Sequence, residues 1–191
     1  MNKLILLLLI ISVCFGCDIV STRESEKPIQ AGTSLQQATT PSILFENLLL
    51  SFEKKVTENY LNCIADSSLI DEDFKFYPAG SSINKYSVLI NWNRDSERRY
   101  FNNLKNNTVS NKSIKLNLNN EVSNNQGDIA IYQFDYTITL DNLLTGTEIY
   151  KGNVEFKIKI DRNNVWVITE WVDRSIQGYS CWSDLKGRYY L

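Results

Sequence analysis

The chain has 191 residues, 43% of them hydrophobic, and its 20 basic and 22 acidic side chains give a formal net charge of −2. It has neither a basic stripe nor a positive charge balance with which to neutralise phosphates, so nucleic acid is excluded as an expected partner. The sequence contains no histidine. Because the commonest general base and metal ligand is missing, we expect neither a metal nor another cofactor.

Residues 1–16 have the form of a bacterial secretion signal. A positive charge precedes an apolar run over residues 4–15, which is too short for a membrane-spanning helix of about 20 residues and typical of a signal-peptide core. Gly16-Cys17 resembles the lipobox, in which a cysteine directly after a small residue is acylated, although Cys14 stands where leucine is usual. We expect Cys17 to anchor the chain to a bacterial membrane in the cell envelope, on the periplasmic side or at the surface. An ordinary secretory signal and an unprocessed anchor are the alternatives.

Residues 17–40 are predicted to be the lipidated cysteine and a flexible tether. Ser, Thr, Gln and charged residues predominate after Cys17, without a periodic apolar pattern, as in disordered linkers. A flexible chain of this length would hold the following domain roughly 25 Å from the membrane. The domain is predicted to span residues 41–191, which is enough chain to bury one hydrophobic core.

Helical periodicity dominates the first part of this domain. From Pro41 to Ile64 apolar residues recur at spacings of three and four, which predicts one amphipathic helix. A short strand is predicted at residues 74–77, and residues 86–103 are predicted to be mostly helical. The charged run at residues 94–99, which includes Glu97, is interpreted as a solvated, self-paired helix face.

From Ser113 onward apolar residues alternate with polar ones, a period of two that predicts strands. Strands separated by turns are predicted at residues 113–118, 129–140, 148–160 and 165–172, with a closing helical turn at 182–188. Helices followed by a meander of strands indicate an α+β fold. Its N-terminal helices would pack on a curved antiparallel sheet of about four to six strands.

The sequence resembles the SnoaL-like branch of the NTF2-like superfamily over roughly residues 42–191. The resemblance is carried by Asp71-Glu72-Asp73-Phe74-Lys75-Phe76, by Trp92, Glu97 and Tyr100-Phe101 on one helical segment, by the W-x-I-x-x-W-x-D pattern from Trp166 to Asp173, and by Cys181-Trp182-Ser183-Asp184-Leu185-Lys186 after it. It implies a cone-shaped fold; a lipocalin-like or cystatin-like sheet is the alternative. The superfamily includes isomerases, dehydratases and epoxide hydrolases as well as non-catalytic binding domains, so the fold alone predicts no activity.

Asp135 and Tyr132 are the candidate catalytic residues, because enzymes of the resembled family carry Asp, His or Tyr inside the cone. Strand alternation places Asp135 on the face opposite Tyr132, Phe134 and Tyr136. If that face lined the cone, burial would raise the pKa of Asp135 and make it a usable base. The alternative is a carboxylate that faces solvent. Asp173 is interpreted as an ion-pair or turn residue.

Aromatic side chains with polar tips are suited to a pocket for a flat or sugar-like ligand. The candidates to line such a pocket are Tyr77, Trp92, Trp166 and Trp171. The alternative is that these residues fill the core.

Cys63 and Cys181 form an even pair in a chain predicted to be exported, which permits a disulfide. Closing so long a loop would contribute about 4–5 kcal/mol by the chain-entropy argument. Two buried free thiols are the alternative.

The leading functional hypothesis is a membrane-tethered, non-catalytic domain that binds a small molecule or a protein partner in the cell envelope. The rival hypothesis is a SnoaL-like isomerase or dehydratase that performs acid–base chemistry with a carboxylate inside the cone. The resemblance also implies a third hypothesis, a homodimer formed through the outer face of the sheet.

Overall fold

The computed structural model describes residues 35–191. The predicted signal peptide, Cys17 and the tether up to Ser34 lie outside the described residues. The helices are α1 (Pro41–Lys54), α2 (Thr57–Asn62), α3 (Gly80–Ile83), α4 (Arg94–Asn107) and α5 (Trp182–Tyr190), with a 3₁₀ turn at Ser87–Asn91. The strands are β1 (Lys75–Tyr77), β2 (Lys115–Gln126), β3 (Ile129–Asn142), β4 (Gly146–Ile160) and β5 (Trp166–Ser175).

The five strands form one curved, unclosed sheet in the order β1-β5-β4-β3-β2. Strands β2 to β5 form the predicted antiparallel meander, and β1 adds to its edge by pairing in parallel with β5, with Phe76 opposite Trp171. Along β3 buried and exposed residues alternate, so that Tyr132, Phe134 and Tyr136 face the helices. The predicted α+β class, with helices packed on one face of a curved sheet, is confirmed.

The predicted helix over residues 41–64 is interrupted after one long segment. Thr40 caps α1 by accepting a hydrogen bond from the Ile43 N–H, and Pro41 occupies the first turn, where its missing N–H costs nothing. Lys55 ends α1 in a left-handed conformation with φ of 54°. Its ammonium donates hydrogen bonds of 2.9 and 3.0 Å to the carbonyls of Val109 and Ser110, which join this helix end to the loop before β2.

The helix predicted within residues 86–103 begins later than expected. Asn93 caps α4, and its side chain accepts a 3.0 Å hydrogen bond from the Ser96 N–H. Trp92 precedes this cap in extended backbone. The delayed start places Glu97 in the first turn of α4.

The compact domain begins at Leu35, before the predicted boundary at residue 41. The Ala38 carbonyl accepts a 2.8 Å hydrogen bond from the Trp166 N–H, and the Gln36 carbonyl accepts one of 2.7 Å from the Asn47 side chain. The last residues assigned to the tether are therefore packed on the domain, because β5 and α1 offer them hydrogen-bond donors. Within residues 35–191, no helix is long and apolar enough to cross a membrane.

Candidate functional site

An ion pair between Glu97 and Lys186 lies at the centre of the domain. Glu97 is on α4, and Lys186 is on α5, where it shares the inward face with Trp182 and Tyr189. Both charged side chains have 0% exposure. Removing charges from water is costly unless they are paired and hydrogen-bonded, so the remaining polar atoms around the pair determine whether it is tolerated.

Hydrogen bonds satisfy the Glu97 carboxylate on both oxygens. The Lys186 ammonium and the Trp92 indole N–H donate to Oε1, the latter at 2.8 Å, and the Tyr60 hydroxyl donates to Oε2 at 2.6 Å. Burial lowers the pKa of Lys186 to about 8, an effect that the Glu97 charge opposes. Burial, reinforced by Glu97, also raises the pKa of Tyr60 well above its usual value. The pair is thus held within a closed hydrogen-bond network.

Aromatic rings enclose the Lys186 ammonium. Its nitrogen lies 3.9 Å from the ring centroids of both Phe76 and Trp171, and 5.6 Å from that of Trp92. Such contacts attract a cation through the quadrupole of each ring. Trp171 and Trp182 are themselves in edge contact, with centroids 4.4 Å apart. This packing fills the centre of the cone around the charged group.

A second buried carboxylate, Asp173, joins the end of β5 to the start of α5. It accepts hydrogen bonds from the Ser183 N–H at 2.7 Å, the Ser183 hydroxyl at 2.5 Å and the Tyr136 hydroxyl at 2.8 Å. The Tyr136 hydroxyl in turn accepts a 2.6 Å hydrogen bond from the Trp182 N–H. Burial raises the pKa of Asp173, although its three donors oppose the shift. The interpretation of Asp173 as an ion-pair or turn residue is wrong, because it serves as a buried acceptor that fixes α5.

The two candidate catalytic residues lie on opposite faces of β3. Tyr132 faces the helices, whereas Asp135 is partly exposed on the outer face of the sheet. There its carboxylate accepts hydrogen bonds from the amides of Asn120 and Asn153. Because side chains an odd number of positions apart point to opposite faces of a strand, the pair cannot act on one substrate inside the cone.

The four aromatic residues proposed for a ligand pocket are not brought together as one. Tyr77 is 44% exposed on β1, while Trp92 and Trp171 pack around Lys186. Trp166 is buried at the start of β5. Except for Tyr77, this set fills the core, because a strongly curved sheet leaves a wide interior that large side chains must occupy.

Cys63 and Cys181 are free thiols, so the predicted disulfide is not formed. Cys63 lies at the end of α2, where its thiol contacts the Asn59 carbonyl at 3.4 Å. Cys181 precedes α5, and its sulfur lies 3.2 Å from the Ser82 hydroxyl. Burial raises the pKa of each thiol to about 12. Each cysteine is instead packed in its own buried environment.

A groove of about 340 Å³ lies between α1 and the inner face of β2 and β3. We call it the α1 groove. Its floor and walls are apolar and its rim is polar; the lining residues are Phe45, Leu49, Leu118, Tyr132 and Phe134, with Ser42, Glu46 and Glu121 around them. Tyr132, chosen from the sequence as a catalytic candidate, therefore lines this groove.

A polar cleft of about 380 Å³ opens beside the start of α4. Asp66, Asp73 and Asp95 line it together with Arg94, whose guanidinium lies 3.4 Å from the Asp66 carboxylate. Among the described residues, no group of side chains is arranged to hold a metal ion. This cleft therefore has acidic walls that are partly neutralised by Arg94.

Helices packed on the inner face of a curved five-stranded sheet define the NTF2-like fold, and solved structures from bacteria share it. A candidate dehydratase of the NTF2-like family from Streptomyces avermitilis has a TM-score of 0.56 at 10% identity, covering 72% of this chain and 94% of that one. A candidate aromatic ring hydroxylase from Novosphingobium aromaticivorans has a TM-score of 0.56 at 14% identity, covering 81% and 99%. A candidate calcium/calmodulin dependent protein kinase II association domain from Xanthomonas campestris has a TM-score of 0.53 at 15% identity, covering 76% and 99%. No protein-family model matches the sequence, and no curated protein does.

Sequence reasoning missed the residues at the centre of the cone, although the sequence carried a signal for them. Glu97 precedes Tyr100, Phe101 and Leu104 at the spacing of one helix face, which is the buried face of α4. The interpretation of residues 94–99 as a solvated face is therefore wrong for Glu97. A charged residue in line with an apolar stripe on each of two helices indicates a buried ion pair.

Proposed function

We propose that the chain is a bacterial lipoprotein, anchored to a membrane of the cell envelope through Cys17, whose NTF2-like domain binds a ligand without catalysing a reaction. The observation that carries the non-catalytic part is the filled centre of the cone. Lys186 and Glu97 are enclosed by aromatic side chains, and both have 0% exposure. A general acid or base must come within hydrogen-bond reach of a substrate, and no route to these groups is open.

The rival enzymatic function has no comparable support. Asp135 accepts hydrogen bonds on the outer face of the sheet, and Asp173 is engaged by three donors inside it. The candidate dehydratase from Streptomyces avermitilis is only 10% identical to this chain, and function depends on the site rather than on the fold. We therefore assign no reaction to this chain.

The α1 groove is the proposed binding site. It is concave and mainly apolar, with a few polar groups at its edge, as small-molecule sites usually are. Phe45, Tyr132 and Phe134 form its floor, and each is held by ring contacts to the others. A floor held in this way is preorganised, which reduces the entropic cost of binding.

A thermal-shift screen of a fragment library tests the binding site. We expect hits to raise the melting temperature of the wild-type protein by mass action, and to lose this effect in Leu118→Trp, which obstructs the groove. Leu143→Trp, at an exposed position outside the groove, is the matched control and should keep the shifts. Hits that persist unchanged in Leu118→Trp would place the ligand elsewhere and contradict the proposal.

Mass spectrometry of the membrane-extracted protein tests the anchor separately. We expect a mature N-terminus at Cys17 that carries acyl chains, because one chain alone holds a protein only marginally. Cys17→Ser should remain unprocessed or lose the acyl groups. A free, unacylated N-terminus after residue 16 would contradict the lipoprotein assignment and leave the groove proposal unaffected.

A further inference from the structure

The α1 groove combines aromatic side chains with two carboxylates. Tyr132 and Phe134 stack with an interplanar angle of 15° and centroids 6.1 Å apart. Phe45 meets both rings at centroid distances of 5.0 Å, tilted against Tyr132 and edge-on to Phe134. These three rings line the floor of one small groove, and aromatic side chains attract a cation that reaches a ring face.

The rim of the groove is negatively charged. Glu46 on α1 and Glu121 on β2 are both exposed, and Ser42 donates a 3.3 Å hydrogen bond to Glu46. Lysine and arginine do not occur among the residues that line the groove. Over residues 35–191, neither carboxylate forms an ion pair with a basic side chain. The groove therefore has a net negative charge at its entrance and an apolar, aromatic interior.

We propose that the ligand of the α1 groove is a small organic monocation with a compact apolar body, such as a quaternary alkylammonium compound. This inference rests on the proposed function, since it specifies the ligand class of the same groove. The apolar body contacts Leu49 and Leu118, while the positive charge lies near the rings and the carboxylates of Glu46 and Glu121. The negative charge of the rim and the aromatic rings of the floor together select a cation.

Other ligand classes fit the groove less well. An anion would be repelled by Glu46 and Glu121 and would meet no cationic side chain among the lining residues. A neutral apolar molecule would contact the rings and leucines but would gain no attraction from the two carboxylates at the rim. A cation with an apolar body satisfies both the rings and the rim.

Choline and its uncharged isostere 3,3-dimethyl-1-butanol provide the test, because they differ in charge at nearly the same shape. Binding to the full chain in a non-ionic detergent is measured by calorimetry and by the change in melting temperature. We expect choline to bind at least about tenfold more tightly than the isostere. Its affinity should fall as salt rises from roughly 50 to 500 mM, because exposed carboxylates are screened.

Three variants locate the charge that the ligand meets. Glu46→Gln and Glu121→Gln should each weaken choline binding by about two- to fivefold, as expected for partly exposed ion pairs. Binding of the isostere should not change. Glu58→Gln replaces an exposed carboxylate on α2 that does not line the groove, so it should leave both affinities unchanged.

The outcomes separate this inference from the proposed function. If the isostere binds as tightly as choline and Leu118→Trp abolishes both, the groove is a binding site but the preference for a cation is overturned. If choline does not bind, the inference is overturned, and the fragment screen alone decides whether the groove binds another ligand. If choline binds equally to Leu118→Trp, both proposals for the groove fail.

Discussion

Lys186 on α5 donates its hydrogen bond to Glu97 on α4 in a part of the core where neither side chain is exposed. The two helices contact each other along this face, and Tyr60 and Trp92 complete the hydrogen bonding of the carboxylate. A buried pair of this kind is costly to break, because removing one partner leaves the other charge without compensation. It also occupies the interior of the cone.

We expect Lys186→Met to destabilise the domain by about 3–5 kcal/mol, because it leaves the Glu97 carboxylate buried without its cation. The double variant Glu97→Gln/Lys186→Met should recover most of that loss, since the amide oxygen can accept from Trp92 while the amide N–H donates to the Tyr60 hydroxyl oxygen. Urea unfolding of the wild type, both single variants and the double variant completes the thermodynamic cycle. Additive single effects would show that the two residues are not coupled.

The lowered pKa of Lys186 predicts a specific pH dependence of stability. Its pKa is about 8 in the folded protein, against an ordinary value of 10.5 for a solvated lysine, so above about pH 8 the unfolded chain binds the proton that the native state has released. The free energy of unfolding should therefore rise with pH from about pH 8 to 9.5, by up to about 1.4 kcal/mol per unit from this group. Because the raised pKa values of Cys63 and Cys181 act in the opposite direction in both proteins, the contribution of Lys186 is the excess slope of the wild type over Glu97→Gln/Lys186→Met in denaturant titrations. Equal slopes would contradict a depressed pKa.

The raised pKa of Asp173 predicts that, at acidic pH, its contribution to the free energy of unfolding falls as the pH rises. Because its pKa is raised in the folded state, the native protein binds more protons than the unfolded chain just above the ordinary aspartate value of 3.8. The stabilisation from this group is fully present below that value and is lost as pH rises through the folded pKa. Asp173→Asn should destabilise the domain by about 1–3 kcal/mol at neutral pH. The amide nitrogen would replace one carboxylate oxygen and would face a hydrogen-bond donor of Ser183 or Tyr136. The loss of stability in Asp173→Asn should grow as the pH is lowered toward 3.8, and a difference that stays constant would argue against the raised pKa.

Gly152 lies where β4 passes close to Tyr136 and to the backbone of β5. A Cβ built at this position would be 2.5 Å from both the Tyr136 hydroxyl and the Arg174 carbonyl oxygen. Gly152→Ala should therefore lower the free energy of unfolding by about 1–3 kcal/mol through overpacking. Gly80→Ala, where nothing lies within 4 Å of the added Cβ, is the matched control and should change stability little. A similar effect of both variants would refute the close approach at Gly152.

The free state of Cys63 and Cys181 can be tested by peptide mapping. Alkylation of the denatured protein without reductant should label the tryptic peptides that contain each residue. In the folded protein both should react slowly, because burial raises the pKa of each thiol to about 12 and little thiolate forms. A cross-linked peptide that contains both cysteines would contradict the structure.

Sequence periodicity determined the class of fold and most of its strands. Alternation along β3 predicted that Tyr132, Phe134 and Tyr136 share the face opposite Asp135, because successive side chains of a strand point to opposite faces. The structure decided that the tyrosine face packs on the helices. Helix ends were less predictable. Asn93 and Lys55 set the boundaries of α4 and α1 through local hydrogen bonds that the apolar pattern does not encode.

The sequence by itself thus determined the resemblance to an NTF2-like cone, the separation of Tyr132 and Asp135 onto opposite faces of one strand, and the expectation of an anchor at Cys17. Only the tertiary structure decided that Lys186 and Glu97 meet inside the cone, and that Asp173 is a buried acceptor. These residues are distant in the sequence, and a charged side chain on an apolar stripe has no stable place until another element supplies its partner. Each charged side chain can occupy the core because a residue from another element of the fold compensates its charge.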